Sequence, residues 1–114
     1  MVVRHVLVRL RAKAAPEFTR LIEREVIPIL RKQKGFIDEI TFISPDLTEA
    51  VGNSFWETKA DAEAYNRVGY PEVMKSLAMV VEGTPTVGTA EVSNSTFHKI
   101  AAAQAASGGS NFRS

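Results

Sequence analysis

Proton transfer near neutral pH needs a group whose unperturbed pKa lies close to it, and the chain offers two, His5 and His98. Tyr65 adds a phenol, and Trp56, the only tryptophan, adds a large flat apolar surface. A histidine with Tyr65 could deprotonate and orient a hydroxylated substrate against Trp56. Arg9 shares a strand face with His5 and Leu7. If that face is buried, Arg9 needs a carboxylate or a ligand anion, with Glu39 and Glu91 as candidate partners; at an edge it is simply solvated. Each residue also has a structural reading. Trp56 could be a core or interface aromatic, Tyr65 could fill space under a helix, and the histidines could lie at the surface or between subunits. With no cysteine, disulfide and thiolate chemistry are excluded, and two histidines make a poor set of metal ligands, so no metal site is expected.

These residues need elements to hold them. Residues 2 to 11 alternate, with Val6, Val8 and Leu10 on one side and His5, Leu7 and Arg9 on the other, which predicts a strand. Pro16 then suits a helical first turn, and Phe18, Leu21, Ile22, Val26, Ile29 and Leu30 recur at helical spacing. Pro28 should bend that helix and Gly35 should end it. FIDEITFIS, from Phe36 to Ser44, and the segment Ala50 to Glu57 predict a strand hairpin. Thr58-Lys59-Ala60-Asp61 reads as a capping box, so a helix starts directly after Trp56. It should run to about Arg67, break at Gly69, resume after Pro71 and end at Gly83. Residues 84 to about 98 predict a fourth strand, with a bulge expected at Gly88.

The order β-α-β-β-α-β is that of an α+β ferredoxin-like domain, a four-stranded antiparallel sheet with two helices on one face. The uncovered face of such a sheet should be polar, yet both faces here carry apolar residues. Phe36, Ile40 and Phe42 fall on one side of their strand and Ile37 and Ile43 on the other, and Phe55 lies opposite Trp56. A homodimer packed sheet to sheet would supply the missing cover.

The length of 114 residues, 45% of them hydrophobic, allows one core, expected over 1–100, with a small, polar tail at 101–114. The net charge of +1, from 14 basic and 13 acidic side chains, gives no reason to expect a nucleic acid partner. No apolar run approaches membrane-spanning length and no leader pattern opens the chain, so a cytoplasmic protein with neither membrane partner nor processing is expected.

VIPILRKQKGFIDE followed by SFWETKADAEAY resembles the antibiotic-biosynthesis-monooxygenase superfamily of dimeric α+β barrels, over roughly residues 3 to 98. The resemblance implies a ligand pocket between the sheet and helices of each subunit. Its activities range over cofactor-independent oxygenases of polyphenols, haem-degrading enzymes, isomerases and members without known activity. Trp56 matches the strand-end tryptophan that quinone-forming oxygenases place in the pocket. Their asparagine four residues earlier falls on Gly52, with Asn53 one step away as the substrate-binding candidate. The residues that haem degradation requires fall at Leu7, Tyr65 and Lys75, with no axial imidazole, so neither canonical haem degradation nor any other cofactor is expected. The resemblance thus implies a cofactor-independent monooxygenase acting on a small aromatic or polyphenolic ligand. The alternative is a non-catalytic dimer that binds a small molecule or serves a structural or stress-related role.

Overall fold

The computed structural model describes residues 1–97; His98 and the 101–114 tail lie outside the described residues. Strand β1 (Val2–Leu10) alternates as its sequence dictates, with Val2, Arg4, Val8 and Leu10 buried and His5, Leu7 and Arg9 on the opposite face. Helix α1 (Ala15–Leu21) continues through a π-helical turn (Ile22–Val26) into α2 (Ile27–Arg31). The bend expected from Pro28 is thus a widened turn just before it. Pro28 has no N–H to give the preceding turn, and Ile27 donates to the Ile22 carbonyl in the longer π pattern.

Strands β2 (Phe36–Ile43) and β3 (Glu49–Trp56) form the hairpin, helix α3 (Lys59–Leu77) follows, and β4 (Val81–Glu91) closes the sheet. The antiparallel order is β2-β3-β1-β4. The Thr58 hydroxyl accepts from the Asp61 N–H at 3.0 Å, the cap that the sequence specifies.

Three expectations change. Helix α3 runs through Gly69 and Pro71 without a break, because Gly69 packs against the Tyr65 ring and the packed face outweighs its poor helix propensity. A Cβ at Gly69 would stand 2.7 Å from Tyr65 Cδ1, so the close approach of ring and backbone requires glycine there. In β2, the register slips between Phe36 and Asp38, which moves Phe36 to the inner face with Ile43 and leaves Ile40 and Phe42 outside. Finally, β4 begins and ends earlier than expected. Its irregularity lies between its partners Leu7 and Arg9, where Gly83 takes a φ of 75°, and Gly88 pairs regularly with His5. The strand stops at Glu91 because its partner Val2 is the first residue of β1.

The core lies between the sheet's inner face and the helices. Val8, Leu10, Phe18, Leu30, Trp56 and Leu77 are all buried in it. Among the described residues no helix is long and apolar enough to cross a membrane.

Candidate functional site

The inner faces of β1, β2 and β3 form the floor of a cavity roofed by the helices. Arg4 stands in the floor between Ser54 on β3 and Thr89 on β4. It is 3% exposed, although it is charged and its same-face neighbours on β1, Val2 and Val6, are apolar. Its Nη2 donates to Asn66 Oδ1 at 2.6 Å. Its guanidinium carbon lies 4.0 Å from the Tyr70 ring centroid and 5.2 Å from that of Tyr65, so two aromatic faces offset part of the cost of burying the charge.

Behind this cation the rings form a stack. Tyr65 lies 4.9 Å from Trp56 at an interplanar angle of 27°, and Phe36 meets Trp56 edge-on at 5.6 Å. Trp56 is fully buried, and its indole N–H donates to Ser54 Oγ at 2.8 Å. Ser54 in turn donates to the Arg4 carbonyl at 3.4 Å. The tryptophan therefore holds the cavity wall from behind, and Tyr65 presents the surface.

Glu39 and Thr41 complete the polar lining on β2. Burial pushes the Glu39 carboxyl above its usual range; the donated Thr41 hydroxyl works against this, and the charge of Asp38 reinforces it. Burial also raises the Tyr65 phenol well above its ordinary value, with Arg4 opposing and Tyr70 and Glu39 adding to the shift. Tyr65 is thus a neutral hydroxyl throughout the physiological range. Glu39 is the better proton acceptor of the two, since a carboxyl ionises far more readily than a phenol, and its upward shift makes its carboxylate more basic than an exposed one.

The remaining lining is apolar, with Val6, Phe18, Ile22 and Met74 prominent. Cavity volume is about 60 Å³, room for a few waters but below the roughly 150 Å³ of an apolar cavity known to hold one benzene. A ring enters only if the wall yields, and Met74 is its most adaptable part.

No protein-family model matches the chain, and no curated protein does. Solved structures do. A cofactor-independent oxygenase from Streptomyces nogalater, SnoaB, superposes with a TM-score of 0.66 at 16% identity over 83% of this chain and 95% of that one. A structure described as a candidate antibiotic biosynthesis monooxygenase from Deinococcus radiodurans gives 0.67 at 13% identity, with 83% and 95% covered. One described in the same way from Nitrosomonas europaea gives 0.64 at 17% identity, with 79% and 96% covered. The fold is that of the antibiotic biosynthesis monooxygenases.

Within this monooxygenase fold the residues singled out from sequence separate by sheet face. Tyr65 lines the cavity and Trp56 supports it. His5, Arg9 and Asn53 lie on the outer face, away from the helices. His5 is exposed and rests over Gly88. Arg9 is solvated and pairs with Glu49 at 3.9 Å. Asn53 donates to the Ile40 carbonyl at 3.4 Å and pairs with His5 in register. No slip in β3 turns Asn53 inward, so Gly52 faces the cavity of this monooxygenase fold, opposite Thr41. Arg4, Glu39, Ser54 and Tyr70 were missed. Arg4 carried a readable signal, a lone charge in phase with Val2, Val6 and Val8 on the apolar face of β1. Glu39 did not, because the pairing with Ser54 that turns it inward is not written in the sequence, where Phe36, Ile40 and Phe42 mark the other side of the strand as apolar.

Proposed function

We propose that the chain acts as a cofactor-independent oxygenase of a small hydroxylated aromatic, in the cavity between sheet and helices. What supports this is the meeting, in one apolar cavity, of a buried guanidinium, a carboxyl of raised pKa and a neutral phenol. Glu39 takes the proton of a substrate hydroxyl, Arg4 holds the resulting phenolate, and the Tyr65 hydroxyl orients it. The phenolate is electron-rich enough to reduce O₂ itself. In the overall reaction a phenol with a free ring C–H plus one O₂ gives a quinone plus one water. The new carbonyl oxygen comes from O₂, and the other oxygen atom leaves as water with one hydrogen from the ring C–H and one from the hydroxyl.

The functional unit we propose is a homodimer joined through the outer face of the sheet. That face carries Val3, Leu7, Ile40, Phe42, Val51 and Phe55, and Phe42 is 59% exposed in the single chain. The deciding experiment is oxygen uptake with 1-naphthol and anthrones, read with quinone absorbance. One quinone per O₂ is expected, with kcat lowered about 10²- to 10⁴-fold in Glu39→Gln, the usual weight of a general base. No uptake above background with any of them would reject the reading. The cavity of about 60 Å³ favours a second reading, a non-catalytic dimer that binds a small molecule, and retention of a ligand in native mass spectra without turnover would support it.

A further inference from the structure

Among the described residues Arg4 has charge and hydrogen-bonding capacity to spare. A guanidinium has five N–H donors, and among the described residues one hydrogen bond is made, to Asn66. No carboxylate among these residues forms an ion pair with it. Of the two acids nearest in the lining, Glu39 is bonded by Thr41 and Glu63 pairs with Lys59. No Asp or Glu follows Glu91 in the sequence, so the remaining chain has no acidic side chain to offer. The Tyr65 and Tyr70 faces attract the cation but accept no in-plane N–H bond of the kind a carboxylate accepts. No buried side-chain nitrogen or oxygen among the described residues lacks a partner, so the remaining N–H groups of Arg4 open onto the two clefts that it lines, where an anion can take them.

We propose that the cavity selects ligands with an anionic oxygen, above all a carboxylate, attached to a compact apolar body, and that Arg4 is the residue that reads the charge. This rests on the cavity being the ligand site, as above, but not on turnover. The carboxylate takes the free edge of the guanidinium in a two-pronged contact, and the body lies among Val6, Ile22 and Met74. For the proposed oxygenase the substrate class narrows to aromatic acids and ready phenolates, with neutral hydroxyaromatics second.

Arg4 also lines a second cleft of about 160 Å³, between α3 and β4, with Lys59, Asn66 and Thr89. An anion could reach the guanidinium from there without entering the apolar cavity. The two routes differ in what they demand of the ligand: the cavity requires an apolar body and the cleft does not.

The test is calorimetric titration of the full chain with matched pairs, benzoate against benzamide and 2-naphthoate against 2-naphthamide, with acetate as the bodiless anion. At least tenfold tighter binding of each acid than of its amide is expected, with acetate weaker than both acids. Arg4→Gln should abolish the preference, and Arg4→Lys, which keeps the charge but loses the fork, should reduce it. The wild-type comparison and Arg4→Lys decide the matter even if Arg4→Gln does not fold. Equal binding of acid and amide, or binding of neither, would overturn the proposal. So would acetate binding as tightly as benzoate together with a loss in Lys59→Ala, which would place the anion in the outer cleft. Oxygen uptake is read separately, so a preference without turnover would uphold this inference while counting against the oxygenase.

Discussion

At the scale of single residues, Glu39 makes the clearest statement about pH. Its carboxyl is raised from 4.5, chiefly by burial. The folded chain therefore keeps this proton at pH values where the unfolded chain has lost it, and stability falls as pH rises wherever the folded state binds more protons. The contribution is fully present below 4.5 and is lost as pH climbs from there through the raised folded value. Thermal melts should show Glu39→Gln gaining on the wild type as pH increases across this window. Parallel curves for the two proteins would mean that Glu39 is solvated in the native state. Glu39 also marks a limit of reading residues one by one. Alternation along β1 could be read directly, and with it the outward His5 and Arg9 and the inward Val8. Pairing with Ser54 turns Glu39 inward, and nothing in FIDEI announces it, because Phe36 is spaced to share a face with Ile40 yet a slip before Asp38 puts it on the side of Glu39.

At the scale of elements, α3 carries most of the site, with Tyr65, Asn66, Tyr70 and Met74 all projecting from it. Its start could be read because capping is local chemistry: the Thr58 hydroxyl needs only the next turn. Its continuity could not, because Gly69 and Pro71 are local breakers whose effect is overridden by packing on Tyr65 and Gln33. Gly69→Ala sets the two against each other. Alanine adds about 1 kcal/mol of helix propensity, while its Cβ would meet Tyr65 at 2.7 Å and Gln33 at 3.1 Å, and overpacking of this kind costs about 1–3 kcal/mol. A net loss of about 1 kcal/mol in urea unfolding is expected, with an altered near-ultraviolet signal from the displaced ring. A more stable variant would show that the ring moves aside freely. The early end of β4 has the same kind of cause, since a strand's length is set by the neighbour it pairs with, and the Val92 N–H already bonds the Met1 carbonyl.

At the scale of the whole molecule, the sheet divides its residues between two tasks. The helices cover one face, and the other shows an apolar band that a lone chain would leave wet. Phe42→Asp removes one phenylalanine from each subunit of the proposed dimer and should raise its dissociation constant about 10²- to 10⁴-fold in sedimentation velocity, from about 3–6 kcal/mol of lost burial. An unchanged sedimentation profile would remove the outer face from consideration. The apolar character of the outer face could be read early, because apolar residues faced both ways; the place of Arg4 could not, because a buried charge runs against the pattern used to find it. This division of faces also bears on how such a chain can change over generations. Adjacent positions of β1, Arg4 inward and His5 outward, have different surroundings, so a point substitution on one face can leave the other unchanged. Loss of one codon inside that strand has no such freedom: every residue on one side of the gap would exchange faces together.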